Sequence, residues 1–236
     1  MEGRASIADF SFMNQPLFDQ TLADKVSAAR VVAVLIVDDA NDAVPLARTL
    51  LSGGVDVMEL TLRTPAALDA LRAIRRDVPE MTAGIGTILS VEQLHAAREA
   101  GAAFGVSPGC NPRLLAGARE AGFSFAPGIA TPTDIEIAIE QGCRLLKFFP
   151  AEQLGGLPYL RAMAAPYAHL GLRYIPLGGL TAANAGIYLN DPLIAAIGGS
   201  WIAPREAIKT NDWATIASNA RAAVANLSSS WQERRP

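Results

Sequence analysis

Lys147 is the residue whose type and surroundings most clearly predict chemistry in this chain. It lies within Leu145–Pro150, an apolar run typical of a buried strand. Only three of the 20 lysine and arginine residues are lysines, so arginine supplies almost all of the positive charge. Arginine stays protonated, whereas a lysine in an apolar pocket can lose its proton and attack a carbonyl. We therefore predict that Lys147 is a nucleophile, rather than a strand-end lysine that reaches into water.

A carboxylate has a similar setting in the segment Val57–Arg63. Glu59, Thr61 and Arg63 alternate there with apolar residues, so they share one face of a strand. A buried carboxylate is costly unless it has a partner or exchanges a proton. Two interpretations stay open for Glu59: a structural ion pair with Arg63, or a general acid and base beside Lys147.

Further candidate residues lie where predicted strands end. Backbone amides next to helix N-termini can bind phosphate, and barrels often hold a phosphate after their last two strands. Ordinary turn chemistry is the alternative explanation for each of these positions. The candidates are Thr87, Pro108, Gly178, Gly179, Gly198, Gly199 and Ser200. Phe149 lies on the same strand face as Lys147.

The elements that must position these residues alternate between strand and helix along the chain. Eight such units without a flexible linker predict an α/β fold, a (β/α)8 TIM barrel with its site at the carboxyl ends of the strands. A doubly wound open sheet is the alternative, but no dinucleotide-binding glycine motif follows the first strand. The predicted strands are Val31–Val37, Val55–Leu62, Met81–Gly84, Phe104–Val106, Phe125–Ala126, Leu145–Phe149, Arg173–Leu177 and Leu193–Gly198.

The two ends of the chain differ in pattern from the repeating units. Phe18–Ala29 predicts an N-terminal capping helix, and the last helix should run from about Asp212 to Leu227. We expect a loose N-terminal extension over residues 1–17, one barrel domain over residues 18–227, and a mobile C-terminal tail over residues 228–236.

The composition of the chain indicates which classes of ligand it binds. Half of the chain is hydrophobic and its net charge is −3, which favours small-molecule ligands over nucleic acid or a membrane surface. Two cysteines without metal-ligand spacing and two histidines predict neither a metal site nor disulfides. The first residues lack the pattern of a signal peptide. We therefore expect a cytoplasmic protein.

In their order along the chain, these motifs resemble those of the 2-keto-3-deoxy-6-phosphogluconate (KDPG) and 4-hydroxy-2-oxoglutarate (KHG) aldolases. The resemblance covers about Lys25 to Leu227. It implies a class I aldolase of carbohydrate metabolism, in the Entner–Doudoroff pathway, that needs no metal or other cofactor and forms a homotrimer. The matching motifs are Glu59 with Leu62–Thr64, Gly84–Thr87, Ser107–Gly109, Leu146–Glu152, Gly178-Gly179 and Gly198–Trp201.

The resemblance also implies a role for each matching residue. Lys147 would form the Schiff base and Glu59 would move the protons. Arg63 and Thr87 would hold the pyruvyl carboxylate. Pro108 and Phe149 would line the pyruvyl pocket, while Ser200 and the glycines beside it would lie at the phosphate end.

This sequence departs from the family at three places that bear on substrate choice. Ile85 stands where the family usually has a smaller residue. Leu177 stands where the family commonly has threonine, and Asp38-Asp39 stands where it often has basic residues. We expect cleavage of KDPG to pyruvate and glyceraldehyde 3-phosphate, with the galactonate epimer or KHG as alternative substrates. Two other classes stay open: a barrel that only binds a phosphorylated ligand, and an isomerase or epimerase that uses Glu59 without a Schiff base.

Overall fold

The computed structural model describes residues 15–231, with side chains described as far as residue 225. Within this part of the chain no helix is long and apolar enough to cross a bilayer. Its strands are β1 (Val31–Leu35), β2 (Val57–Thr61), β3 (Thr82–Gly86), β4 (Gly105–Val106), β5 (Phe125–Ala126), β6 (Gly128–Ile129), β7 (Leu145–Phe148), β8 (Arg173–Pro176) and β9 (Ile197–Gly199).

The helices alternate with these strands. They are α1 (Gln20–Ala29), α2 (Ala43–Ser52), α3 (Ala67–Asp77), α4 (Val91–Glu99), α5 (Pro112–Glu120), α6 (Pro132–Glu140), α7 (Gly156–Ala164), α8 (Ala185–Leu189), α9 (Arg205–Lys209) and α10 (Trp213–Trp231).

The strands form a closed barrel, as predicted. All pairings are parallel, in the orders β5-β4-β3-β2-β1-β9 and β6-β7-β8. β5 and β6 are consecutive parts of the fifth barrel strand, interrupted at Pro127, which has no backbone N–H to donate. A parallel bridge between Tyr174 and Ile194 joins β8 to the segment that leads into β9.

Successive side chains of a strand point to opposite faces of the barrel wall, which gives two separate apolar layers, one against the helices and one in the barrel interior. In β2, Met58 and Leu60 pack outward against the helices, whereas Val57 packs into the barrel interior. Burial on both faces explains why the strands read as nearly continuous apolar runs. The polar exceptions on the inward face are therefore the residues that need an explanation.

Helix α1 closes the amino-terminal end of the barrel. It begins at Gln20 rather than Phe18, because the side chain of Asp19 accepts a hydrogen bond from the Leu22 amide and caps the helix. Phe18 instead packs into the barrel, 5.9 Å from Phe104 between ring centroids. Burial of a side chain of this size stabilises the fold by about 1.5–3 kcal/mol.

The predicted chain ends fall partly outside the described residues, namely residues 1–14 and 232–236. Within the described part, Leu17 is buried and its amide donates to the Gly142 carbonyl at 3.2 Å. Helix α10 continues to Trp231 instead of ending at Leu227.

Candidate active site

Lys147 and Glu59 meet inside the barrel. Lys147 Nζ lies 3.2 Å from Oε1 and 3.5 Å from Oε2 of Glu59. Both residues are buried, with 7% and 2% of their surfaces exposed. Lys147 comes from β7 and Glu59 from β2, so only barrel closure brings them together. A buried pair of this kind is costly to break, by about 3–5 kcal/mol when one partner is removed.

Arg63 is not the partner of Glu59, so the interpretation as a structural Glu59–Arg63 pair is wrong. Arg63 follows the end of β2 in a turn, where its side chain is exposed. Within residues 15–231 its guanidinium has no ion-pair or hydrogen-bond partner. It is therefore available to bind a carboxylate through two parallel hydrogen bonds.

A small cavity lies beside the pair. Its volume is about 20 Å³, and Glu59, Lys147, Ile175 and Leu177 are among the residues that line it. This space is enough for about one water molecule, for which the amine and the carboxylate are suitable partners. The ring of Phe149, 5.6 Å from Lys147 Nζ, adds a cation–π contact on the side towards the barrel mouth.

The end of β3 approaches the turn that holds Arg63. The Leu62 amide donates to the Gly86 carbonyl at 2.8 Å, which ties this turn to the residue before Thr87. Thr87 itself has a φ of 59°. A β-branched residue in this left-handed region is strained, and such strain concentrates at functional sites. The structure therefore places Thr87 and Arg63 on neighbouring turns at the mouth.

Pro108 lies on the next turn around the barrel. Ser107 Oγ donates to the Gly109 carbonyl at 2.7 Å, which holds the turn in shape. The turn packs closely on the fifth barrel strand, since a Cβ added to Gly128 would lie 2.1 Å from the Pro108 carbonyl oxygen. Gly128 is thus required for Pro108 to take its half-buried position.

Cys110, two residues after Pro108, is a second potential nucleophile near the mouth. Burial raises the pKa of its thiol to about 12. The thiol is therefore protonated at neutral pH, and the thiolate is the reactive form of cysteine. This leaves Lys147 as the stronger candidate nucleophile.

The two pairs of adjacent glycines lie in different kinds of backbone structure. Gly178 and Gly179 form a turn after β8 with φ of 95° and 78°, and their amides have no acceptor within residues 15–231. Gly198 and Gly199 lie within β9 rather than in a turn after it. The turn predicted to follow the eighth strand therefore begins at Ser200.

Packing explains the glycines of β9. A Cβ on Gly198 would lie 2.4 Å from Leu177, and a Cβ on Gly199 would lie 1.9 Å from the Trp201 ring. Leu177 is buried between Gly198 and the cavity, deeper than the mouth position expected from the sequence. Ser200 follows β9 and is exposed at the mouth.

Sequence reasoning missed the partners of two acidic residues, Asp38 and Glu152. Asp38 accepts hydrogen bonds from Arg205 Nη2 at 2.6 Å and Nε at 2.8 Å, and Arg205 lowers the pKa of the Asp38 carboxyl. The acidic departure at Asp38 is thereby neutralised, which the sequence could have suggested only by pairing distant residues. The partner of Glu152 is Tyr188, whose hydroxyl donates to Oε1 of Glu152.

Fold and site together define a class: (β/α)8 barrels with a buried lysine and carboxylate at the carboxyl ends of the strands, suited to Schiff-base chemistry on a carbonyl substrate. Comparison with known proteins narrows this class. The family described as "Aldolase: KDPG and KHG aldolase" matches residues 22–219. The chain belongs to this family, and it is therefore a carbon–carbon lyase.

Individual aldolases of this family are similar to the chain over most of its length. A 2-dehydro-3-deoxy-phosphogluconate aldolase of Treponema pallidum is 42% identical over 196 residues, which cover 83% of this chain and 92% of the relative. KDPG aldolase of Legionella pneumophila, solved with pyruvate captured as a covalent carbinolamine, has a TM-score of 0.81 at 36% identity, covering 85% of this chain and 97% of that one. The Zymomonas mobilis enzyme with 3-phosphoglycerate has a TM-score of 0.79 at 39% identity, covering 86% and 95%.

Proposed function

We propose that this chain is a class I aldolase that cleaves KDPG to pyruvate and glyceraldehyde 3-phosphate through a Schiff base on Lys147. The observation that carries the proposal is the buried contact of 3.2 Å between Lys147 Nζ and Glu59 Oε1. A carboxylate at this distance can take a proton from the ammonium group and return it later. The names of the relatives support the choice of substrate.

Cleavage begins with the neutral amine of Lys147. Nζ attacks the C2 ketone of the substrate to give a carbinolamine, which loses water to become an iminium ion. Glu59 supplies the proton for the leaving water and takes up the proton released from nitrogen, directly or through one water molecule. The iminium then serves as the acceptor for the electron pair that the next step releases.

Bond breaking needs the same carboxylate again. Glu59 removes the proton of the C4 hydroxyl, the C3–C4 bond breaks, and its electron pair moves into an enamine on Lys147. The aldehyde leaves. Protonation at C3 restores the iminium, and hydrolysis releases pyruvate and the free amine. In this scheme one carboxylate serves every proton transfer of the cycle.

The remaining residues orient the substrate. Arg63 and Thr87, on neighbouring turns, are suited to hold the pyruvyl carboxylate. Phe149 and Pro108 form the apolar side of the pyruvyl pocket. The amides of Gly178 and Gly179, together with Ser200, are suited to the phosphate at the other end.

The Schiff base on Lys147 can be tested with a covalent trap. Pyruvate with borohydride should reduce the iminium and add irreversibly to Lys147, as peptide mass mapping would show. Lys25 and Lys209, the other lysines of the chain, are internal controls for non-specific reductive alkylation. An adduct on all three lysines alike, or on none, would contradict the class I assignment.

The same experiment separates the other function classes. A barrel that only binds a phosphorylated ligand forms no adduct, and an isomerase or epimerase that uses Glu59 alone keeps its activity in Lys147→Met. An aldolase loses both the adduct and the activity in that variant.

Assembly and location follow from the resemblance. We expect a homotrimer in the cytoplasm. Sedimentation equilibrium would give about three times the chain mass of 24.8 kDa, whereas a monomer or dimer would contradict this expectation.

A further inference from the structure

We propose that the hydrogen bond between Tyr188 and Glu152 positions the Gly178-Gly179 turn, and that it thereby sets the affinity for the phosphorylated end of the substrate. The inference rests on the proposed function. Neither residue is placed here in contact with substrate, so both act as positioning residues. The two residues are 36 positions apart in sequence.

The turn after β7 is hydrogen-bonded to the turn after β8. The Glu152 amide donates to the Gly178 carbonyl at 3.1 Å, and the Ala151 amide donates to the Leu177 carbonyl at 2.7 Å. These bonds lay the turn that follows β7 along the turn that follows β8. The two turns therefore move as one unit, and Lys147 lies on the strand that leads into the first of them.

Glu152 also packs closely against Gly179. A Cβ on Gly179 would lie 2.6 Å from Cβ and 2.9 Å from Cγ of Glu152. The stem of Glu152 thus occupies the space beside the glycine and limits the conformations of the turn. A displaced Glu152 would leave the Gly179 amide free to rotate away from a bound anion.

Tyr188 fixes the side chain of Glu152, which is otherwise exposed. Tyr188 lies on α8 and only 2% of its surface is exposed, so its ring is fixed by packing. Its hydroxyl donates a hydrogen bond to Glu152 Oε1. The same hydroxyl lies close to Gly156, because a Cβ added there would be 3.0 Å from the hydroxyl oxygen. A rigid buried donor therefore holds a side chain that would otherwise sample several rotamers.

Helix α8 supports the same turn at a second point. Asn184 Nδ2 donates to the Gly179 carbonyl at 3.3 Å, and Asn184 Oδ1 accepts from the Thr181 amide at 2.7 Å. The turn is thus held from one side by Asn184 and from the other by Glu152. Both supports leave the amides of Gly178 and Gly179 without a protein acceptor in the described part of the chain.

The test compares two substrates that differ only in phosphate: KDPG and 2-keto-3-deoxygluconate. In Tyr188→Phe we expect KM for KDPG to rise about tenfold, the scale of one lost hydrogen bond. The kcat for KDPG, the KM for the unphosphorylated substrate and the rate of pyruvate trapping by borohydride should stay within about twofold. Inorganic phosphate should inhibit the variant correspondingly less.

Two variants separate positioning from general damage. Glu152→Gln keeps an acceptor at Oε1 and should retain most of the affinity for KDPG, whereas Glu152→Ala should resemble Tyr188→Phe. The matched control is Tyr167→Phe, since Tyr167 donates to Glu136 Oε1 at 2.9 Å in a similar pair away from the glycine turn. That control should leave both substrates unaffected.

The outcomes distinguish this inference from the proposed function. An equal change in KM for both substrates, or no change for KDPG, would overturn the positioning role while the adduct on Lys147 still supported the aldolase. Absence of the adduct in the wild-type protein would overturn the proposed function itself. If Tyr188→Phe folds poorly, Glu152→Ala removes the same bond from the exposed side and decides the question.

Discussion

Gly86 and Glu59 compete for one space, because a Cβ on Gly86 would lie 1.8 Å from Oε1 of Glu59. The carboxylate can reach Lys147 only because residue 86, on the neighbouring strand β3, has no side chain. The position of the acid and base thus depends on a glycine that takes no part in the reaction.

We therefore expect Gly86→Ala to displace the carboxylate and to lower kcat by about 10²-fold, the scale of a mispositioned catalytic group. Gly186→Ala is the matched control, since nothing lies within 4 Å of a Cβ added there. Steady-state kinetics and thermal melts of both variants provide the measurement. Equal kcat values in folded Gly86→Ala and wild-type protein would contradict this role.

Glu59→Gln tests the proton transfers directly. The amide keeps the shape of the carboxylate but cannot accept a proton, so turnover should fall by roughly 10²-fold or more. The adduct with pyruvate and borohydride should still form on Lys147, though slowly. Chelation by EDTA should leave wild-type turnover unchanged. Turnover lost on chelation and restored by a divalent metal would assign the chemistry elsewhere.

Leu177 should affect substrate choice more than rate. An apolar wall discriminates between substrates by only about 1–3 kcal/mol, whereas a group that hydrogen-bonds a hydroxyl discriminates more strongly. We expect weak discrimination between KDPG and its galactonate epimer in the wild-type protein, and a shifted ratio of kcat/KM in Leu177→Thr.

The control for that experiment is Leu172→Thr, which places the same change in the outer core, away from the cavity. It should cost stability without changing the ratio. A wild-type protein that already strongly prefers one epimer, with a ratio that Leu177→Thr leaves unmoved, would reduce Leu177 to a packing residue.

Cys143 should make stability depend on pH in the alkaline range. Burial raises the pKa of its thiol from 9.0 to about 12. Between pH 9 and 12 the unfolded thiol loses its proton while the folded thiol keeps it, so the free energy of unfolding falls as pH rises. The contribution is about 1.4 kcal/mol per pH unit.

Urea denaturation at pH 8, 9 and 10 in wild-type protein and Cys143→Ala would isolate this contribution. The cavity left by the alanine costs the same at each pH, whereas the thiol contribution disappears from the variant. The gap in stability between the two proteins should therefore narrow above pH 9. Parallel curves would show that Cys143 ionises equally in the folded and unfolded protein.

The sequence predicts the barrel well because strand and helix segments alternate regularly along the chain, and because polar residues interrupt the apolar pattern on one face of β2 and β7. Val57–Thr61 shows which face of β2 is inward, and Lys147 interrupts an otherwise apolar strand. These patterns depend on a few neighbouring residues and hold whatever the rest of the chain does. The inward orientation of Glu59 and Lys147 could be predicted for this reason.

Other features depend on contacts between distant segments, which no local pattern records. The interruption of the fifth strand at Pro127, the strained backbone at Thr87 and the pairing of Tyr188 with Glu152 are examples. The partner of Glu59 belongs to the same group, since Arg63 is close in sequence but Lys147 is close in space. Local spacing left both partners open because it carries no information on barrel closure.

The closed amino-terminal end of the barrel also imposes an order on the products. Phe18 and Val26 line the cavity and belong, with Leu145, to the cluster that fills this end of the barrel, so within residues 15–231 the amino-terminal end is closed and the mouth is the open end. In the proposed reaction the pyruvyl carbons stay bound to Lys147 while the aldehyde half faces that mouth. Glyceraldehyde 3-phosphate must then depart before pyruvate. Kinetically this is an ordered uni-bi scheme, in which pyruvate inhibits competitively with KDPG and the aldehyde inhibits noncompetitively.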